Sequence, residues 1–281
     1  MDFLSHPRRT RNPGYIHGIS SRIEENLAAY SHGAIRGLAQ HDQALYDYIV
    51  EAMHRHAAGS VDANFEGYDA DLKLYLPFDE TSGQTAFDLS SNGNTGTATG
   101  TTIVDGVFGK ARSFNGSSDY VSVPDTAALR IIGDLTLEAW IYTTDLTVMN
   151  TIFAKEYLHE FTLQVWSEGG MRFSHGDGTM ESVYPVAAGT ILINHWYHVA
   201  VVRNIATTKI YGYVNSILQL SPSYTTTPTA GTVAVTLGRQ PVTYNRWFVG
   251  KIDEPRIYSR ALSADEIYLH YLAGALKLGL I

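Results

Sequence analysis

The sequence predicts a mainly β protein: a two-sheet antiparallel sandwich with a short capped helix near its C-terminus, preceded by an α-helical N-terminal segment. Three observations support this prediction. Apolar residues alternate with polar ones beyond position 70, whereas they recur at helical spacing between positions 20 and 58. Segments rich in Gly, Ser, Thr and Asn separate the alternating stretches and are typical of turns.

The N-terminal quarter of the chain divides into three predicted parts. Residues 1–19 contain three arginines among turn residues and predict an irregular basic arm, either solvated and flexible or docked on a partner. Residues 20–58 contain a capping-box pair, Ser21 with Glu24, and two apolar helical stripes. Because two helices cannot bury these stripes alone, we expect this segment to anchor or oligomerise the chain. Residues 59–70 are expected to be a linker.

Beyond position 70 the alternating stretches predict half-buried strands. In LTLEAWIY, Leu135 and Leu137 share one face with Ala139 and Ile141. The stretches DLKLYLPFDE, FTLQVWS and KIYGYVNS show the same alternation of apolar and polar residues. WYHVAVVRN predicts an interior strand in which His198 is satisfied by hydrogen bonds and binds no metal.

The segment KIDEPRIYSRALSADEI predicts a last strand followed by a capped helix. Ser263 and Glu266 have capping-box spacing. We expect the helix to cover a sheet edge, which would protect its backbone groups from pairing with other chains. We expect Asp253 and Glu254 to stand at the rim of the sandwich. The final LKLGLI alternates like a further strand.

Composition disfavours several classes of function. The net charge is −8 and the pI about 5.7, whereas a nucleic-acid-binding domain needs a basic face. The absence of cysteine excludes disulfides and cysteine catalysis. No stretch is apolar for the roughly 18 residues of a membrane span, and the first residues lack the apolar run of a secretory signal. The chain would then stay inside the producing cell or leave by lysis or a comparable route, and we expect a virion or cell-exterior location.

Five segments, in order along the chain, resemble the laminin-G-like domains of the concanavalin A-like jelly-roll superfamily. They are LYLPFDETSGQTAFDLSSNGNTG, FGKARSFNGSSDYVSVPD, GDLTLEAWIYT, NHWYHVAVVRN and FVGKIDEPRIYSRALSADEI. The resemblance covers residues 71–273 of a domain expected to span residues 71–281. It implies a jelly-roll fold but identifies no ligand, since lectins, adhesins, hydrolases and structural modules share this fold.

The resemblance also implies a calcium site where the first and last strands meet. Asp79 follows the first strand, Asp253 lies on the last, and Asn115 belongs to the FNG turn. Calcium binds six to eight hard oxygens, which carboxylates and carbonyls supply. We predict Ca²⁺ at these three residues. The alternative is that the two acids are ordinary turn or rim residues bonded to backbone.

Aromatic residues beside polar ones predict a glycan-binding surface. The chain contains 18 Tyr and 4 Trp, whose rings can stack on sugars while neighbouring polar groups bind hydroxyls. The predicted site comprises Trp166, Asp177, Tyr244, Arg246 and Trp247. The alternative is that the tryptophans only fill space between the sheets or cover their surface.

A hydrolase is disfavoured because the paired acids are missing. Sandwich glucanases that resemble this fold carry E-x-D-x-E or E-x-D-x-x-E on one strand, which puts both carboxyls on one face. Glu138 has no acidic partner at positions 136 or 140. We therefore predict no catalytic residue and no enzymatic activity.

Together these patterns favour a non-enzymatic assembly subunit that displays a lectin-like head. A virion surface, spike or tail-fibre component fits them, with self-association or attachment to a particle scaffold through residues 1–58. The head would bind a glycan or a protein. The alternatives are a stand-alone carbohydrate-binding or adhesion module and, less favoured, a polysaccharide hydrolase or lyase.

Overall fold

A computed structural model describes residues 69–240 and 246–280 of the chain. The predicted basic arm, the predicted helical segment and all but the last two residues of the predicted linker lie outside these residues. The predicted site residue Tyr244 also lies outside them.

Within the described residues, the strands form two antiparallel eight-stranded sheets and a small hairpin. The strands are numbered in chain order. Sheet A contains β1 (Leu72–Tyr75), β4 (Thr102–Asp105), β5 (Lys110–Asn115), β7 (Leu135–Thr143), β12 (Trp196–Asn204), β13 (Lys209–Val214), β14 (Ile217–Leu218) and β18 (Val249–Tyr258). Their order is β14-β13-β12-β7-β18-β5-β4, with β1 also paired to β18.

Sheet B lies on the other side of the core. It contains β2 (Thr85–Ala86), β3 (Gly96–Thr99), β6 (Tyr120–Val123), β8 (Asn150–Ala154), β9 (Thr162–Val165), β10 (Met171–Gly176), β11 (Met180–Val186) and β15 (Val235–Leu237). Their order is β11-β10-β9-β8-β15-β6-β3-β2. The hairpin is formed by β16 (Arg239–Gln240) and β17 (Arg246–Trp247), and a short 3-10 helix spans Ala127–Leu129.

The main core fills the space between the two sheets. The four alternating residues of β7, from Leu135 to Ile141, are all buried there, as predicted. On β12, Val199 and Val201 enter the same core, whereas Ala200 joins a second apolar cluster on the outer face of sheet A. The predicted mainly β, two-sheet antiparallel sandwich is therefore confirmed.

The C-terminal helix, α1 (Ala264–Lys277), packs on that outer face. Its capping box is formed as predicted: Ser263 Oγ accepts from the Glu266 backbone N–H, and the Glu266 carboxylate accepts from the Ser263 N–H. The expectation that α1 covers a sheet edge was wrong, because Leu262 and Ile267 bury against the outer face of sheet A. The prediction that LKLGLI forms a further strand was also wrong, since its first two residues, Leu276 and Lys277, belong to the last turn of α1.

A β-bulge in β18 explains another difference from the sequence-based expectation. Asp253 pairs with Trp140 and Arg256 with Glu138, so β18 has one residue more than β7 over this span. The extra residue accommodates Pro255 inside a central strand, and Glu254 takes a φ of 55°. Asp253 and Glu254 are consequently fully buried within sheet A and do not stand at its rim.

His198 also differs from the prediction. It lies on the outer side of β12, opposite Trp140. Its two ring nitrogens are buried without a hydrogen-bond partner, and Nε2 lies 3.6 Å from Glu138 Oε2. Burial lowers the pKa of His198 to about 4, so the ring is neutral at pH 7.

Candidate functional site

The face of sheet B that points away from the core is polar. On β9, Leu163 and Val165 enter the core, whereas Gln164 points outward. Arg172 lies directly opposite Gln164 on β10, and Thr151 lies opposite it on β8. We define the polar face by the outward side chains of Thr151, Gln164, Arg172, Ser174 and Ser182.

Gln164 ties the small hairpin to the polar face. Its Nε2 donates to Thr151 Oγ1 and to Gln240 Oε1, each at 2.9 Å. Arg246 Nη1 donates to Gln164 Oε1 and Gln240 Oε1, each at 3.4 Å. Because Gln240 lies on β16 and Arg246 on β17, this network holds the hairpin over the polar face.

Arg172 links the polar face to an aromatic group on one flank. Its Nε donates to Ser174 Oγ at 3.0 Å and to Ser182 Oγ at 3.2 Å. Its guanidinium carbon lies 5.6 Å from the ring centroid of Trp166, a cation–π distance. Trp166 contacts Tyr184 edge to face at 5.5 Å. Tyr184 is 48% exposed, so this flank presents aromatic surface to solvent.

A second aromatic group lies on the other flank. Tyr120 points outward from β6, and its ring centroid lies 6.3 Å from that of Trp247 on β17. The guanidinium carbon of Arg239 lies 5.0 Å from the Tyr120 centroid and 5.1 Å from the Trp247 centroid. We call these three residues the arginine–aromatic triangle. All three are partly exposed, and the guanidinium lies against both rings.

The order of the strands sets the distance between the two flanks. Trp166 follows β9, and β9 is three strands from β6 in sheet B. At about 4.8 Å per strand, the flanks are about 14 Å apart. The polar face therefore lies between two aromatic groups that are at least partly exposed. Thr151, Gln164, Arg172 and Ser174 are themselves buried, and only Ser182 is partly exposed, so the rings are the surface most open to an extended ligand.

The structure brings together three of the five predicted glycan-binding residues. Trp166, Arg246 and Trp247 all lie on or beside the polar face. Asp177 lies in the turn between β10 and β11, where it is exposed and its Oδ1 accepts from the Thr179 N–H at 3.1 Å. Asp177 is thus placed at one end of the polar face.

Sequence reasoning missed the residues that connect these three. Gln164 and Arg172 alternate with core residues in TLQV and MRFS, so strand periodicity contains the signal that they point outward. The sequence contains no comparable signal that Tyr120 and Arg239 meet. Their contact joins β6 to the hairpin, which are far apart in sequence.

The two predicted calcium-binding acids meet at one turn. Asp253 Oδ2 accepts from the backbone N–H of Val107 at 2.7 Å and of Phe108 at 3.0 Å. Asp79 Oδ1 accepts from the Lys110 N–H at 2.7 Å. The first and last strands of the sandwich are therefore joined through the β4–β5 turn.

Two glycines allow this turn to approach the acids. A β-carbon at Gly106 would lie 2.5 Å from Asp253 Oδ2, and one at Gly109 would lie 2.0 Å from Asp79 Oδ1. Asp253 Oδ1 is buried without a hydrogen-bond partner. Burial raises the pKa of Asp253, and the neighbouring carboxylate of Glu254 raises it further. A cation bound at Oδ1 would satisfy this oxygen and offset the cost of burying its charge.

Asn115 is not brought to the two acids. It lies at the far end of β5 from Lys110, a separation of about 16 Å along the strand. Its Oδ1 accepts from the N–H groups of Ser117 and Ser118, each at 2.9 Å, and so shapes its own turn. Among residues 69–240 and 246–280, no three His, Cys, Asp or Glu side chains converge as metal ligands. A calcium ion at Asp79 and Asp253 would therefore need backbone carbonyls as well.

Glu138 and Glu254 form a separate buried cluster with Arg256 on the outer face of sheet A. Arg256 Nη1 lies 3.4 Å from Glu138 Oε1, and its Nη2 donates to Glu254 Oε2. Burial would raise the pKa of Glu138, but His270 of α1, at 2.8 Å, and Arg256 hold it well below its usual range. Both carboxylates are fully buried. The ion pair between His270 and Glu138 joins α1 to sheet A.

No helix in the described part of the chain is both long and apolar enough to cross a membrane. A model of the concanavalin A-like lectin/glucanases superfamily matches residues 115–268. A search of curated protein sequences finds no match.

Solved structures share the fold. The binding domain of Paraclostridial Mosquitocidal Protein 1 has a TM-score of 0.59 and 17% identity, over 73% of this chain and 52% of that one. Domain 4 of AbnA, a GH43 extracellular arabinanase from Geobacillus stearothermophilus solved with arabinotriose, has a TM-score of 0.57 and 24% identity, over 71% and 98%. The binding domain of botulinum neurotoxin DC, solved with rat synaptotagmin II, has a TM-score of 0.57 and 12% identity, over 73% and 52%. This chain matches about half the length of the two toxin domains.

Proposed function

The chain belongs to the concanavalin A-like lectin/glucanase superfamily, and from this premise we propose that it is a non-enzymatic recognition subunit that binds glycan through sheet B. The observation that supports the proposal is a pair of partly exposed aromatic groups, one on each flank of the polar face. Trp166 with Tyr184 forms one group, and Tyr120 with Trp247 forms the other.

The chemistry of this layout matches that of a sugar. A sugar ring has C–H surface on its faces, which packs on aromatic rings, and hydroxyls on its edges, which bond to planar polar groups. Arg172 and Arg239 each lie against an aromatic ring, so little side-chain freedom is lost when they bind a ligand. A saccharide of several units could contact the rings of both flanks.

A protein is the second candidate ligand. Tyr, Trp and Arg side chains that are at least partly exposed in one patch are also typical of protein interfaces. Two of the three solved neighbours described above reflect both possibilities, since the arabinanase domain was solved with a trisaccharide and the neurotoxin domain with synaptotagmin.

A glycan array probed with the full chain tests the proposal. We expect the wild type to bind, and Trp166→Ala and Trp247→Ala to lose binding to the same glycans. Phe87→Ala is the matched control, because Phe87 is an aromatic residue, 56% exposed, that lies outside the polar face. Failure of the wild type to bind any glycan, with or without calcium, contradicts the proposal. A protein ligand then becomes the favoured alternative.

The absence of catalysis is part of this proposal. Glu138 and Glu254 are fully buried and share Arg256, so neither carboxylate is open to a substrate. A hydrolytic acid pair needs two carboxyls facing a bound sugar. The polar face consists of amide, hydroxyl and guanidinium groups and contains no carboxylate.

We further propose that calcium binds at Asp79 and Asp253 together with backbone carbonyls. The unpartnered Oδ1 of buried Asp253 supports this assignment. The ion would stabilise the junction of the first and last strands beside the β4–β5 turn. Asn115 is not included, because its oxygen serves its own turn.

For the N-terminal quarter we retain the sequence-based proposal. Residues 20–58 would form helices whose apolar stripes attach the head to copies of itself or to a particle scaffold, with the basic arm assisting. This organisation fits a virion surface, spike or tail-fibre component that acts outside the cell. A stand-alone adhesion module would need no such attachment.

A further inference from the structure

Sheet A carries a second row of outward side chains, on the side of the sandwich opposite the polar face. Register pairing places Trp196 beside Tyr142, Tyr142 beside Lys251, Lys251 beside Ser113, and Ser113 beside Thr102. These five residues, which we call the sheet A row, lie on five neighbouring strands and span about 19 Å. All five are partly or largely exposed.

The position of α1 explains why this row is open. The next row along the strands contains His198, Trp140 and Asp253, which are buried. Tyr271 of α1 stacks on Trp140 with ring centroids 5.9 Å apart, and Gly274 contacts the same indole. Tyr142 is two residues beyond Trp140 on the same face of β7, where the cover provided by α1 stops.

The aromatic end of the sheet A row carries a positive charge. The rings of Trp196 and Tyr142 lie 5.6 Å apart at an angle of 59°. Lys251 Nζ lies 5.2 Å from the Tyr142 centroid and 5.9 Å from that of Trp196. In the described part of the chain, no carboxylate lies within ion-pair distance of Lys251, and Asp105 nearby is paired with Lys110 at 2.7 Å.

We infer that the sheet A row is a second ligand site and that it takes an acidic saccharide. The two rings offer apolar surface for the faces of a sugar, and Lys251 offers charge to a carboxylate or sulfate on that sugar. Ser113 and Thr102 continue the row with hydroxyls for neighbouring sugar units. The net charge of the protein is −8, so attraction of an anionic sugar depends on a local positive charge such as that of Lys251.

Binding at the sheet A row can be measured independently of binding at the polar face. The full chain is titrated calorimetrically at low salt with trigalacturonate, with a sulfated trisaccharide and with neutral galactotriose. We expect one or both charged sugars to bind about tenfold or more tightly than the neutral one. Comparison of the affinities for trigalacturonate and for the sulfated trisaccharide identifies which anion is preferred.

Substitutions locate the binding. Lys251→Gln should remove the preference for the charged sugar, Lys251→Arg should restore it, and Trp196→Ala should abolish binding whereas Trp196→Phe retains part of it. Trp247→Ala, which alters the polar face, should leave this binding unchanged. The inference is overturned if neither charged sugar binds, or if binding is equal in the wild type, Lys251→Gln and Trp196→Ala. Loss of binding in Trp247→Ala alone would assign the sugar to the polar face and also overturn it.

Discussion

Gly274 of α1 lies against the indole ring of Trp140, so closely that a β-carbon at position 274 would fall 2.3 Å from Cζ2 of the ring. The contact sets the depth at which α1 lies on the outer face of sheet A. It also sets where the cover of α1 stops, and thereby leaves Tyr142 and Trp196 partly exposed while Trp140 is buried.

Gly274→Ala should destabilise the protein although alanine favours a helix. The helix propensity gains about 1 kcal/mol, but forcing a methyl group against the indole costs about 1–3 kcal/mol. We expect a lower free energy of unfolding in urea. Gly133→Ala is the matched control, because a β-carbon there meets no atom within 4 Å. An unchanged or higher stability for Gly274→Ala would show that α1 can move off Trp140 at no cost.

Removal of calcium should lower the melting temperature. If Asp79 and Asp253 hold the ion, EDTA removes a ligand that binds only the folded state, and excess calcium restores the lost stability. Differential scanning calorimetry of the wild type with EDTA and with calcium measures the difference.

Two substitutions make the calcium test specific. Asp253→Asn should abolish the difference between EDTA and calcium, whereas Asp177→Asn, in an exposed turn, should preserve it. Identical melting curves for the wild type under both conditions would contradict calcium binding. Asp253 would then serve only to hydrogen-bond β18 to the β4–β5 turn.

Stability should fall as the pH drops from about 6.5 to 4, in part because of His175. Burial, with a smaller contribution from the charge of Arg203, lowers the pKa of His175 to about 4. The unfolded chain therefore takes up a proton at higher pH than the folded chain, so the contribution is complete above pH 6.5 and is lost as the pH falls. The difference between the two pKa values corresponds to about 3 kcal/mol.

Urea unfolding between pH 7 and pH 4 measures this dependence. His175→Gln should be less stable at pH 7 but should lose less stability on acidification than the wild type. His195→Gln, which alters an exposed histidine, should follow the wild type. An equal pH dependence for His175→Gln and the wild type would show that the buried ring is protonated without cost.

Deletion of residues 1–68 should lower the oligomeric mass without unfolding the head. The described residues contain the core between the two sheets, so residues 69–281 should remain folded. Multi-angle light scattering of both chains gives their masses, and circular dichroism reports the fold of the shorter one. Two monomers of equal fold would contradict the assembly role proposed for the N-terminal quarter.

Local patterns accounted for most of the fold. Alternation placed Leu137 and Ile141 in the core because side chains on a strand point to opposite faces whatever the strand's partner is. The capping box of Ser263 and Glu266 was also predictable, since its hydrogen bonds join residues three positions apart. The bulge at Glu254 was not, because it depends on pairing with β7.

The candidate site was predictable only in part, for the same reason. Trp166, Arg246 and Trp247 were identified by residue type, and Gln164 and Arg172 could be placed outward by alternation. The contact between Tyr120 and Arg239 depends on where the hairpin lies over sheet B. The sheet A row depends on strand register and on the extent of α1, neither of which any single segment specifies.

The sequence alone determined the strand periodicity, the turn chemistry, the helix cap and the acidic composition, because each is a property of neighbouring residues. Tertiary structure decided which outward faces stay open. Sheet A is covered by α1 over Trp140 and open at Tyr142, and sheet B gathers arginines and rings from β6, β10 and the β16–β17 hairpin. Surfaces made by residues distant in the chain exist only once the sheets have paired, since packing brings those side chains together.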